Sequence, residues 1–162
     1  MSARSAALLG LLVALLGVSI AAAATGFGRD EENPPRRLAT ADAYAAIRPD
    51  MAQERIDLEF LLIHARLDTD EELGEQLAAL AGRSAEQAAA LAAIEPPSSI
   101  ADLVAVLHRA VADQAASLRR VARQAREEGP GAVRAAQSEL RAQAERILDA
   151  RRRLETSFLI GS

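Results

Sequence analysis

The sequence predicts an all-α fold, an up-down-up-down four-helix bundle, and three observations predict it. Apolar residues recur at alternating three- and four-residue steps over four long stretches. Proline and glycine clusters separate those stretches with only a few residues between them, and short connections make consecutive helices antiparallel neighbours. Half of the 162 residues are apolar, yet the aromatics are only Phe27, Tyr44, Phe60 and Phe158, so the core is aliphatic and dominated by the helix formers Ala and Leu.

Residues 1–24, MSARSAALLGLLVALLGVSIAAAA, have the layout of an export signal: Arg4, an apolar run, then small residues with Ala22 and Ala24 ahead of a cleavage point. Ala6 to Ala24 is also an uncharged run of 19 residues, which suffices for an uncleaved anchor across a hydrocarbon layer of about 30 Å. Both readings place the rest of the chain outside the cytoplasm, since Arg4 precedes the run and Asp30, Glu31 and Glu32 follow it. Residues 25–38, rich in Gly, Pro and charge, read as a flexible linker.

The bundle is expected over residues 39–162. Thr40 is the expected N-cap of a first helix running to about residue 67, with a kink or break at Pro49, because an interior proline removes a hydrogen bond and crowds the preceding turn. Leu58, Phe60, Leu61, Leu62, Ile63 and Leu67 cover most of its circumference, so it is expected to be the most buried helix. Thr69 and Glu72 have capping-box spacing for a second helix over 69–94. Leu73, Leu77, Leu80, Leu91 and Ile94 mark one face of that helix, with Ser84 and Gln87 in the gaps. Its row of Gly74, Ala78, Ala81, Ala85, Ala88 and Ala92 invites close approach of another helix.

Pro96 and Pro97 end that helix, and Ser99 with Asp102 resembles the cap of a third over 99–128. Ile100, Val104, Leu107, Val111, Gln114, Leu118, Val121 and Ala125 form its heptad seam. Gly129 supplies a stop and Pro130 a first turn for a fourth helix over 130–158, with Val133, Ala136, Leu140, Ala144, Ile147, Leu154 and Phe158 on one face.

Charge divides unevenly. Residues 25–97 hold seven arginines against fifteen acids, and residues 98–162 eleven against eight, so the halves attract. The bundle topology brings Asp68, Asp70, Glu71, Glu72 and Glu75 to the same end as Arg119, Arg120, Arg123 and Arg126, where each set also complements its own helix dipole.

The net charge of −4 excludes the electrostatic footprint of a general nucleic-acid binder. The absence of lysine and cysteine removes Schiff-base, P-loop and thiolate chemistry. Glu-x-x-His, HExxH, GxSxG, Walker and dinucleotide motifs do not occur, and His64 and His108 fall far apart along the bundle. The chain is therefore expected to be neither an enzyme nor a metal or cofactor protein.

Two candidate sites follow from counting helix rise. Ser84, Gln87, His108 and Arg151 fall, with Pro49, about 10–15 Å from one bundle end. Such a polar layer fixes helix register, or lines a pocket for a small polar or acidic ligand. Gln114 and Gln143 are expected to lie level with each other. At the end where the linker enters, Arg36, Arg37, Arg151, Arg152 and Arg153 beside Phe158, Leu159 and Ile160 form a candidate contact with anionic lipid.

The stretch LAAIEPPSSIADLVAVLHRAVADQAASLRRVARQA, with its Pro-Pro turn between alanine-rich helices, resembles secreted or envelope-anchored helical proteins of high-GC bacteria that carry no assigned activity. The resemblance implies a location and no functional residue. The resulting expectation is a non-enzymatic extracytoplasmic bundle acting on an envelope protein or an anionic membrane surface, with a ligand-sensing bundle as the alternative. Either its own bundle or a second copy of the chain can cover the apolar circumference of the first helix.

Overall fold

The computed structural model describes residues 34–65 and 67–160, and the signal or anchor segment and most of the linker lie outside them. The described residues fold into four helices, α1 (Pro34–His64), α2 (Asp70–Ala92), α3 (Ser98–Glu128) and α4 (Pro130–Ile160), and contain no strand. Helices α2 and α3 pack most extensively, followed by α3 with α4, while α1 closes the ring through thinner contacts with α2 and α4. Cross-helix pairs run in opposite directions. Glu54 meets Ser84 and Asp57 meets Arg83 between α1 and α2, and Tyr44 meets Glu155 and Glu59 meets Arg141 between α1 and α4. None of the four helices is long and apolar enough to cross a membrane.

The first helix starts six residues before the expected cap. Pro34 and Pro35 occupy its first turn, where the missing N–H has no intrahelical partner in any case, so residues 34–38 belong to α1 and not to a linker. Thr40 is buried within the helix, and its Oγ1 donates back to the Arg36 carbonyl at 2.9 Å. Helix α1 also continues through Pro49 without a break; the proline is exposed, so its ring crowds no neighbouring helix.

The remaining boundaries show which local signals count. Thr69 caps α2 with both bonds of the capping box: its side chain accepts from the Glu72 backbone N–H, and the Glu72 carboxylate accepts from the Thr69 N–H at 3.0 Å. Ser99 does not cap α3. Pro97 takes the extended N-cap conformation with no side-chain bond, and Ser98 and Ser99 already lie inside the helix. Gly129 ends α3 at a φ of 61°, its N–H donating to the Ala125 carbonyl at 2.8 Å, and Pro130 opens α4 at once. That φ favours glycine, and a Cβ there would also collide with the Asp70 carboxylate.

All eight seam residues of α3 are buried, and Val133, Ala136, Leu140, Ala144, Ile147 and Leu154 are buried on α4. The small-residue row of α2 acts as expected at Gly74, Ala81 and Ala88, which are buried; a Cβ added at Gly74 would stand 3.2 Å from the Ala122 carbonyl oxygen and 2.5 Å from Arg126 Cγ. Two apolar clusters result. One gathers Leu58, Leu73, Leu77, Leu118, Val121 and Leu140; the other gathers Tyr44, Met51, Leu91, Leu107, Val111 and Leu154 toward the opposite end.

Helix α1 is not the most buried helix. Ile56, Phe60 and Ile63 on its outer side, and Leu67 in the turn after it, are between 57% and 81% exposed, because the contacts of α1 with α2 and α4 are the thinnest in the bundle and its far side meets solvent. The start of α2 and the end of α3 do share one bundle end, with Asp70 beside Gly129. Arg120 reaches across to Glu139 on α4 at 2.6 Å, and Arg126 lays its aliphatic stem over Gly74.

Candidate functional site

Where the two apolar clusters meet, the interior turns polar, and its centre is Glu54. This residue sits on α1 between Met51 and Leu58, in step with Leu61 and Ala65, so the three-four rhythm of the buried face carries a carboxyl group into the core. It is 2% exposed. Ser84 Oγ on α2 donates to Glu54 Oε1 in a short bond, and Gln114 Nε2 on α3 donates to the same oxygen at 2.8 Å. Gln87 on α2 lines the same small space as this carboxyl. Glu54 Oε2 and Gln114 Oε1 are buried with no hydrogen-bond partner.

Burial pushes the Glu54 carboxyl above its ordinary value, and the bonds from Ser84 and Gln114, the Arg83 charge and Gln87 only partly oppose that shift. Beside the carboxyl lies a cavity of about 20 Å³, lined among others by Met51, Glu54, Gln87, Gln114, Ile147 and Arg151, which is room for one water-sized guest. A wider open groove of about 470 Å³ runs between α1 and α2 past Asp50, Gln53, Arg83 and Glu86, and Gln87 reaches both spaces.

Three of the four residues expected in the polar layer therefore converge: Ser84 on Glu54 itself, and Gln87 and Arg151 on the wall of the adjoining cavity. His108 is half-buried next to Leu107 and does not line that cavity. Glu54 is absent from the residues expected in that layer; the signal that could have found it is its place as a charged residue in the register of Met51, Leu58, Leu61 and Ala65. Gln114 and Gln143, expected level, have separate partners, since Gln143 Nε2 donates to Ser117 Oγ at 2.6 Å. Ser117 in turn donates to Glu139 at 3.0 Å, and Arg120 with Ser117 holds the Glu139 carboxyl below its ordinary value.

Arg151 completes a second polar joint between α1 and α4. Its Nε donates to the Tyr44 hydroxyl at 3.3 Å, the hydroxyl donates to Glu155 Oε1 at 2.7 Å, and Arg151 Nη2 lies 3.7 Å from the same carboxylate. Phe158 packs beside the Tyr44 ring at a centroid distance of 6.0 Å. Burial, then the bond to Glu155, raises the Tyr44 hydroxyl to about 12 despite the opposing arginine.

Of the five arginines expected at the lipid-facing end, Arg36, Arg152 and Arg153 are exposed, the last paired with Asp149 at 2.7 Å. Arg37 turns to the Ser157 carbonyl and Arg151 turns inward, so both bind α1 to α4. Leu38 and Leu159 are exposed at the same end. His64, at the other end of α1, stacks on Phe60 at 4.1 Å, and its Nδ1 lies 2.8 Å from the Phe60 carbonyl oxygen. Among the described residues no group of three His, Asp or Glu side chains is placed to hold a metal ion. Comparison with protein-family models, curated proteins and solved structures gave no match.

Proposed function

We propose that this chain is a non-enzymatic extracytoplasmic protein, secreted or held at the membrane by residues 6–24, that works through contacts of its helical surface with partners in the cell envelope. One observation carries the reading: the outward side of α1 presents Ile56, Phe60 and Ile63 to solvent in a continuous row, with Leu67 exposed in the turn just after it, whereas its inner side already fills the core. Large apolar side chains scattered singly are ordinary on a surface, but a row of three on one helix face, continued by Leu67 in the next turn, is a contact site. The mixed apolar and basic end carrying Leu38, Leu159, Arg36 and Arg152 supports the membrane as a neighbour.

The test is made in producing cells on the full chain. A phosphatase reporter active only outside the cytoplasm is fused after Ser162, and a photo-crosslinking amino acid replaces Phe60 or, as a control, the exposed Ala105 on α3. Reporter activity with adducts specific to position 60 is the expected result. A silent reporter, or equal labelling at both positions, overturns the reading.

A ligand-sensing role is favoured by the cavity beside Glu54 with its two unpartnered oxygens. When the Glu54 carboxyl is ionised both oxygens are acceptors, so the complement of that state is a small hydrogen-bond donor and not the acidic ligand that Arg151 alone suggests. Ammonium or methylammonium should then raise the melting temperature where acetate does not. Equal responses to all three exclude this role.

A further inference from the structure

The row on α1 extends well beyond Ile56, Phe60 and Ile63. Projected at 100° per residue, Leu38, Ala45, Pro49, Ala52, Ile56, Phe60 and Ile63 fall on one face, directed away from α2 and α4. From Leu38 to Ile63 that face is about 37 Å long. With its rims it need be only about 20 Å wide to supply the roughly 800 Å² per partner of a standard interface.

The rims differ in sign. On the α4 side stand Arg48, Arg55 and, from α4, Arg134. On the α2 side stand Asp50 and, from α2, Glu86, with Asp42 at that edge of the face itself, level in angle with Phe60. One ion pair on each side, Glu59 with Arg141 and Asp57 with Arg83, is neutral within itself and leaves this asymmetry intact.

Resting on the reading that this face is a contact site, we propose that its occupant is a second copy of this chain, with the two α1 helices packed face to face and parallel. The symmetry decides the direction. When two copies are related by an axis parallel to α1, the basic rim of each lies against the acidic rim of the other. When they are antiparallel, each rim meets its own kind, and the repulsion opposes docking. Parallel packing also sets both chains to enter α1 from the same side, as two copies held at one membrane by residues 6–24 would.

Because the chain contains no cysteine, single-cysteine variants report the arrangement directly. Ala45→Cys, Ala52→Cys and Ile63→Cys in the full chain, oxidised in membranes of producing cells, should each give a disulfide-linked dimer, at least tenfold above an Ala105→Cys control. Adding Ile56→Glu, a change at an exposed site that spares the core, should abolish the links while the melting temperature holds. Links from Ala52→Cys alone, together with mixed links between Ala45→Cys and Ile63→Cys chains, would mean antiparallel packing and overturn the proposal. No links above the control would also overturn it; photo-crosslinks from position 60 to other proteins would then leave the broader contact reading standing, and their absence would remove both.

Discussion

Gln114 Nε2 donates to Glu54 Oε1 at 2.8 Å, while the second oxygen of each side chain, Glu54 Oε2 and Gln114 Oε1, is buried and has no partner. Two acceptors left over in the same polar layer are a costly pair in a core, and a proton on Glu54 Oε2 turns one of them into a donor. The groups of fixed or titratable charge around this carboxyl are Arg55 from α1 and Arg151 from α4 on the cavity wall, and Arg83 from α2. From α3 the neighbour is the neutral Gln114. Despite those arginines, burial dominates and favours the neutral acid.

Glu54→Gln should therefore raise stability at alkaline pH. Because the folded protein holds the Glu54 proton more tightly than the unfolded chain, the native state loses stability as pH rises above the ordinary glutamate value of 4.5. An amide at this position carries N–H donors at any pH. Near pH 8 the variant should gain about 1–3 kcal/mol in chemical denaturation, and its stability should vary less with pH than that of the parent. A variant less stable than the parent at every pH would show that the carboxylate is the form the fold prefers.

Tyr44 is the only tyrosine, so phenolate absorbance follows it alone. Its titration in the folded protein should centre near 12 and not near 10. The same sign rule applies: the tyrosine contribution to stability is complete below about 10 and is lost as pH climbs toward 12. A midpoint near 10 in a still-folded sample would mean that the α1–α4 joint stands open.

Arg151→Leu separates the two polar joints. Leucine extends the apolar face of α4 from Ile147 to Leu154 and leaves the Tyr44 bond to Glu155 in place. The melting temperature should hold or rise, and the Tyr44 titration should move further up, because the one group that lowers it is gone. A downward movement would place Arg151 elsewhere than beside the ring.

Gly74 and Gly82 form a matched pair on α2. Gly74→Leu must push Arg126 aside and press on the Ala122 carbonyl, at a cost of about 1–3 kcal/mol. Gly82 faces open space, and Gly82→Ala should instead stabilise the helix by about 0.5–1 kcal/mol. Equal effects in thermal melts would contradict the close approach of α2 and α3.

Helix number, the Thr69 capping box, the Gly129 stop and the buried seams of α3 and α4 were all determined by the sequence alone, because each depends on residues within a turn or two of one another. Residue spacing likewise placed Ser84, Gln87 and Arg151 at nearly the same height along the bundle. Tertiary structure decided what the spacing left open. Helix α1 carries two apolar stripes, and periodicity measures both without saying which one neighbouring helices cover; only the packing turned Met51, Leu58 and Leu61 inward and left Ile56, Phe60 and Ile63 outside. The same choice of inner face buried Glu54 and made it the acceptor for Ser84 and Gln114, since whether a charged side chain on a helix meets water or a core depends on atoms contributed by distant parts of the chain.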